Sequence, residues 1–329
     1  MSDRTLLGPW VRRFLLEHLV AERNLARNTQ CSYRDALTLL IPFVADRLHQ
    51  SVDRLTLVDV SADLVRLFLA DLEQSRQSTI ATRNQRLTAI HALARFVGEH
   101  SPEHIAWCGQ IRSIPFKRVS KAVIPSLDKP EMDALLNAPD RQTAQGRRDH
   151  ALLLFGAALR ISEALSLTLA DVDLPAGVLT IRESKFYKTR LVPMGPGLTS
   201  ALSSYVSQRA KEHSTKPNSA LFLTRKGTPL VRYTAENIFR RLRVRAGVLR
   251  NDGGHYQPRL HDLRHSAVVH RLVSWYRQGK DVQRLLPQLA TYLGHVHIAA
   301  TQRYLTLTPE LLREASQRFE HYAQGGQHE

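Results

Sequence analysis

His261-Asp262-Leu263-Arg264-His265 is the stretch from which the rest of this chain can be read. It follows Pro258, and the pattern predicts the start of a helix there. His261 and Arg264, at i and i+3, then point the same way. The N-terminal end of a helix also offers free N–H groups and a positive dipole, which favour an anion. His265 falls on a neighbouring face and reads as structural. A rival reading takes His261 and His265 as an i, i+4 metal pair, because the stretch loosely matches the zinc motif His-Glu-x-x-His. Arg264 and the basic residues around it raise the cost of a dication, and the acid here is Asp, one methylene short.

Working outward, three further stretches carry groups suited to phosphate chemistry. Upstream, Leu159-Arg160-Ile161-Ser162-Glu163 follows the apolar run Ala151 to Leu159. An arginine just past a buried helix is held firmly, which suits bidentate capture of a phosphate. Glu163 stands one helical turn on and can share its face. Downstream come Leu293-Gly294-His295 and Arg303-Tyr304. Each has an ordinary structural reading when taken alone: an Arg–Glu ion pair, a turn histidine, a half-buried tyrosine.

Charge narrows the partner. The chain has 46 Lys and Arg against 30 Asp and Glu, a net charge of +16. Half of that excess lies between Arg225 and Arg271, where ten Arg and Lys226 face only Glu236, Asp252 and Asp262. Charge so localised attracts a polyanion, with salt-dependent binding through counterion release. The basic residues do not form one amphipathic terminal helix, so a membrane surface is not the expected partner. No apolar stretch is long enough to span a bilayer, and Met1 does not lead into a signal-peptide core. Cys31 and Cys108 have no metal-type spacing and read as buried small apolar residues in a reduced, cytoplasmic compartment.

The first hundred residues predict helices only. Trp10, Phe14, Leu15, Leu19 and Val20 recur at helical spacing. Asn28 is the expected cap of a second helix with Tyr33, Leu37, Leu40 and Ile41 inward. Ser61 precedes a third, and Thr82 is read as opening a fourth, with Arg83, Arg86 and Arg95 outward. Residues 1–110 therefore read as one helical domain. Residues 111–125 carry Arg112, Lys117, Arg118 and Lys121, two prolines and no acid, and read as an extended basic linker. Ser126 is the expected cap of the next helix, within a second domain at 126–329. There Val178 to Arg182 and Arg190 to Pro193 read as strands joined in a hairpin through Lys185 and Lys188, with Leu221 to Leu223 as a third strand. The remainder is helical, and Thr308-Pro309-Glu310 starts a terminal helix. The fold class is mainly α, an all-helical unit followed by a mixed, mostly helical unit with a small β-hairpin sheet.

Taken together, Arg160, Lys185, His261-x-x-Arg264, Leu-Gly-His295 and Tyr304 closely resemble the catalytic set of the tyrosine recombinases, the phage-integrase and Xer-like family. Tyr292-Leu293-Gly294-His295 and Leu263-Arg264-His265-Ser266 support the match, and the helical first domain looks like the family's core-binding, SAM-like domain. The resemblance covers roughly residues 5 to 320. It implies a site-specific recombinase or integrase that cleaves and rejoins DNA through a 3′-phosphotyrosyl link on Tyr304, without metal or ATP. Its implied roles are Arg160 and Arg264 clamping the phosphate, His261 taking the tyrosine proton, His295 donating to the phosphate, Lys185 protonating the leaving 5′-oxygen, and Glu163 in support. The implied partners are double-stranded recombination sites, three further copies in a tetramer and partner recombinases of the same family. Contacts to DNA are expected from Arg83, Arg86, Lys117, Arg118, Lys121, Lys188, Arg240, Arg241, Arg243 and Arg245, and the terminal helix is expected to dock on a neighbouring protomer.

Two departures stand out. The family's hairpin lysine usually lies among glycines, whereas Ser184 and Phe186 flank Lys185, so Lys188 is the second choice. The interval from Arg264 to His295 is also longer than in compact members by about two helical turns, with the excess in Trp275 to Pro287. That points to a mobile-element recombinase rather than a housekeeping one. The alternatives are type IB topoisomerase chemistry and a non-catalytic DNA-binding protein of the same fold, with a zinc hydrolase third.

Overall fold

The computed structural model describes residues 6–119, 126–182, 189–250, 257–295, 297–306 and 309–323. Lys121, Lys185 and Lys188 lie outside them. The chain divides into two compact units, Met1–Lys121 and Ala122–Glu329.

The first unit is helical. Helix α1 (Leu7–Arg12) runs on into wider π-type turns over Arg13–Glu22, followed by α2 (Arg27–Arg47), α3 (Ala62–Gln74), α4 (Ile80–His100) and α5 (Ile105–Arg112). Ser61 caps α3 as expected, its hydroxyl accepting from the Leu64 N–H at 3.2 Å. Helix α4 opens two residues before Thr82 because Thr79 supplies the cap instead, and α2 starts at Arg27 without a side-chain cap, so Asn28 does not serve as one. Phe14, Leu40, Phe68, Leu72, Leu93 and Phe96 meet in the core. Full burial of each such side chain contributes about 1.5–3 kcal/mol.

The basic segment after α5 is tied to this unit rather than extended from its start. Ile111 and Ile114 are buried in the same core. The Asn84 side chain brackets the Lys117 backbone, donating to its carbonyl at 2.8 Å and accepting from its N–H at 3.1 Å. Arg83, expected to face outward, is only 6% exposed and donates to the Pro115 carbonyl at 3.0 Å. A helical-wheel reading could not foresee this, because the returning segment covers the face that the wheel leaves open.

In the second unit, α6 (Lys129–Asn137), α7 (Ala144–Ala158) and α8 (Ile161–Ser166) precede a three-stranded antiparallel sheet, β1 (Val172–Asp173), β2 (Val178–Ile181) and β3 (Arg190–Pro193). Its order is β1-β2-β3, with Ile181 opposite Arg190 where the hairpin begins. Asp128, not Ser126, caps α6, because Asp128 and Glu131 form a reciprocal capping box. The third strand is Val172–Asp173 rather than Leu221 to Leu223. That segment instead anchors a turn, with Leu221 N–H on the Leu167 carbonyl and Leu230 N–H on the Phe222 carbonyl. Its side chains enter the core beside Phe155.

Among the described residues six helices complete the unit: α9 (Pro196–Glu212), α10 (Arg232–Arg245), α11 (Leu260–Arg277), α12 (Val282–Leu293), α13 (Ala299–Thr306) and α14 (Pro309–Ala323). Residues 275–287 span the end of α11, the junction and the first half of α12. Leu311 of α14 is 2% exposed in a cluster with Val269, Leu272 and Leu286, and Glu314 pairs with Arg277 of α11. The terminal helix expected on a neighbour therefore packs on its own unit here, while Leu312 and Phe319 remain exposed. Among the described residues no helix is long and apolar enough to cross a membrane.

Candidate functional site

Four chain segments converge on the turn after α12. Gly294 ends that helix in the left-handed conformation (φ 66°), and the turn is closed by the His295 N–H on the Ala290 carbonyl at 2.9 Å. The Leu293 and Gly294 carbonyls become the anchor points for the two arginines.

Arg160 lies between α7 and α8 because Leu159 leaves helical geometry (φ −116°, ψ 164°). Its Nη1 donates to Glu163 Oε1 at 2.7 Å and its Nη2 to the Gly294 carbonyl at 2.8 Å. Its backbone N–H also donates to Glu163 Oε2. The Arg–Glu pair is therefore real, and Arg160 keeps further N–H donors and a quarter of its side-chain surface open.

Arg264 comes from the first turns of α11, where Asp262 accepts the Arg259 N–H at 2.7 Å. It is 1% exposed. Nη1 donates to the Ala158 carbonyl at 2.7 Å and Nη2 to the Leu293 carbonyl, so one guanidinium ties the end of α7 to the end of α12. Burial, and then the charge of Arg160, lowers Arg264 to about 10, which leaves it cationic at neutral pH. His261 is exposed one turn before it. The protein packed on one side of that imidazole, followed by the Arg264 charge, lowers its pKa, so it is neutral and able to accept a proton at pH 7.

His295 Nδ1 is 2.7 Å from the hydroxyl of Thr301, a fully buried residue of α13. Tyr304 lies three residues further along the same helix and so on the same face. Its ring is half-buried, 4.8 Å from the His265 ring and 6.3 Å from the His295 ring, nearly parallel to the latter. Thus α13 both orients His295 and carries Tyr304. His265 is 4% exposed and acts as packing for Tyr304, as its neighbouring face predicted. No three His, Cys, Asp or Glu side chains among the described residues cluster as a metal set.

Glu163 is 5% exposed. Burial alone would raise its carboxyl, but hydrogen bonds and charge from Arg190, then Arg160, overcome this and hold it below the usual range. Arg190 is the residue that sequence reasoning missed. Along the chain it reads only as the first residue of a strand, and its partners stand 27 and 102 positions away, beyond any periodic signal. Thr301 was missed too, although its partner His295 is only six positions away, because His295 lies outside the helix that carries Thr301.

The basic residues expected on DNA separate into classes. Arg118, Arg240 and Arg245 are exposed, and so is Arg95, outside that set. Arg241 is largely exposed but reaches the buried Asp149 at 2.9 Å, which also pairs with Arg148. Arg243 is half-buried and donates to the Pro258 carbonyl, fixing the approach to α11. Arg86 is half-buried, and Lys117 pairs with Glu73.

Burial, then Arg264, Arg160 and Arg190, lowers His295 to about 4. Unfolded histidine titrates near 6.5. Between those values the unfolded chain binds more protons, so the His295 contribution to stability is complete above about pH 6.5 and is lost as pH falls towards 4. His261 acts in the same direction. Denaturant unfolding at pH 7 and pH 5 should show wild type losing more stability on acidification than His295→Gln. An equal loss in both would contradict a neutral, half-buried His295.

The chain matches known proteins along most of its length. Residues 125–310 match the model described as "Phage integrase family", and residues 12–99 match "Phage integrase, N-terminal SAM-like domain". The chain is 32% identical to the putative integrase/recombinase y4rC of Sinorhizobium fredii, over 94% of this chain and 90% of that protein. It is 31% identical to the tyrosine recombinase XerD of Ralstonia nicotianae, over 92% and 91%. In fold it is similar to the Tn1549 transposon integrase in complex with transposon right end DNA (TM-score 0.68, 15% identity, 95% and 99% coverage). It is also similar to the XerH site-specific recombinase bound to its palindromic difH substrate (TM-score 0.63, 20% identity, 91% and 82% coverage). A family model spanning more than half of the chain, together with relatives above 30% identity along nearly its whole length, places this protein in the phage integrase family of tyrosine recombinases.

Proposed function

We propose that this chain is a site-specific DNA recombinase that cuts and rejoins strands through Tyr304. The observation that carries the reading is the convergence on one turn. Arg160 is anchored to the Gly294 carbonyl, Arg264 to the Leu293 carbonyl, His295 follows directly, and the Tyr304 ring lies parallel to His295.

In the proposed reaction, the Tyr304 oxygen forms a bond to the scissile phosphorus and the bond to the 5′-oxygen breaks. A free tyrosine is only about 0.1% ionised at neutral pH. The neutral His261 accepts its proton. Arg160 and Arg264 neutralise charge on the non-bridging oxygens as it develops, and His295 donates to the same phosphate. Lys185, or Lys188 in its place, protonates the departing 5′-oxygen. The 3′-phosphotyrosyl link retains the bond energy, so a 5′-hydroxyl from another duplex can reverse the step and exchange strands. The arginines supply the positive charge, so no metal or ATP is needed. A tetramer on two DNA sites, partner recombinases, action on cytoplasmic, nucleoid-associated DNA and mobility of the encoding element belong to the same proposal. Residues 1–110 and the exposed Arg118, Arg240 and Arg245 would hold the duplex.

The test is covalent capture. Protein is mixed in EDTA with a duplex nicked beside the cleavage point and taken from the ends of the encoding element. An SDS-resistant adduct is expected. Tight DNA binding without any adduct would favour the non-catalytic reading. Relaxation of supercoils without strand exchange would favour topoisomerase chemistry.

A further inference from the structure

We propose that Arg190 is a positioning residue for strand cleavage, holding the Arg160 carboxylate partner and bracing the turn that presents His295. The inference rests on the reading of this site as one that cleaves DNA.

Arg190 is the first residue of β3, and its side chain is 11% exposed. Its planar fork meets both oxygens of Glu163, Nη1 to Oε1 at 3.1 Å and Nη2 to Oε2 at 3.0 Å. Its Nε donates to the Tyr292 carbonyl at 3.4 Å. Glu163 Oε1 simultaneously accepts from Arg160. One carboxylate thus joins two guanidiniums, and the pair keeps a surplus positive charge. Without Arg190, the whole negative charge of Glu163 would face Arg160, closing it into an ion pair and cancelling the charge that a phosphate needs.

The second contact is steric. A Cβ on Gly294 would fall 2.6 Å from the Arg190 Cζ. The guanidinium therefore fills the space beneath the residue whose carbonyl anchors Arg160 and whose successor is His295. Glycine is required at 294 both for its positive φ and for this approach. The third point is order along the chain. Arg190 lies five residues after Lys185 and two after Lys188. It is where the strand leaving the lysine segment meets the phosphate clamp. Proton donor and clamp must be registered closely, since a 1 Å misplacement can cost about 100-fold in rate.

The experiment measures the single-turnover rate of adduct formation on the nicked duplex, alongside the duplex Kd and the folded fraction by circular dichroism. Arg190→Ala is expected to slow adduct formation about 100-fold while Kd changes by less than about two-fold. Arg190→Lys, which keeps the charge but not the fork, is expected between wild type and alanine. Added methylguanidinium is expected to restore part of the alanine variant's rate. Because Arg190 acts through Glu163, Arg190→Ala combined with Glu163→Gln should be little slower than the worse single variant. Arg190→Gln keeps most of the volume and replaces alanine in these measurements if the alanine variant loses folded protein.

An Arg190→Ala rate within about three-fold of wild type would overturn the proposal. So would a loss explained entirely by the folded fraction, or strict additivity with Glu163→Gln. If wild type itself forms no adduct, the cleavage reading falls and this inference with it. A variant indistinguishable from an active wild type removes the inference alone.

Discussion

Tyr304→Phe is expected to eliminate the covalent protein–DNA adduct, a loss on the order of 10⁴-fold or more, because the attacking oxygen is the only atom removed. The phenyl ring can still pack against His265 and lie parallel to His295, so the unit should fold and bind duplex as wild type does. Unchanged DNA affinity with no adduct would assign the nucleophile. An adduct that persists in Tyr304→Phe would move it elsewhere. Tyr292 is a poor substitute, because burial raises its phenol above the ordinary tyrosine value and disfavours the phenolate. The same gel run with wild type in EDTA tests whether the arginines alone supply the positive charge.

Arg264 is expected to give the largest combined effect on stability and rate. Its two buried donors satisfy the carbonyls of Ala158 and Leu293, and alanine would leave both acceptors unpaired around a cavity. Each buried unsatisfied group costs about 1–3 kcal/mol, so Arg264→Ala should lose about 3–5 kcal/mol once the cavity is included. Arg264→Lys separates structure from chemistry. It keeps the charge, but a single ammonium cannot bridge both carbonyls and still present a planar edge to phosphate. Most of the stability should survive, while adduct formation falls about 100-fold. Urea unfolding and single-turnover cleavage measure the two effects separately. A lysine variant that cleaves within about three-fold of wild type would refute the proposed clamp.

The chemistry of the site is largely legible in short stretches of the chain. Arg160, His261, Arg264, His295 and Tyr304 occupy short local strings, and most of these strings also encode a helix end. Leu159 leaves a helix, Pro258 precedes one, and Gly294 closes one. The helical first unit is legible for the same reason, since apolar spacing reports which face is buried. Exact helix starts are less so: Thr79 and Asp128 displaced Thr82 and Ser126 because competing caps sat within three residues of each other.

The basic residues show where local patterning stops. Arg83 looks outward on its helix until residues 111–117 fold back over it. Arg241 and Arg243 look like two more phosphate ligands, yet one answers the buried Asp149 and the other holds the Pro258 carbonyl. A charge count cannot distinguish an arginine that meets a polyanion from one that satisfies a buried acceptor.

The amino-acid sequence by itself determined the helical class, the family and the inventory of reactive groups, because these depend on residue identity and short-range spacing. Only the tertiary structure decided how that inventory is held together. Arg160 reaches Gly294 across 134 positions, Arg264 reaches Ala158 across 106, and Arg190 locks Glu163 from a strand. Such bonds form only where packing brings buried donors and acceptors together away from water, and no periodicity along the chain records that meeting.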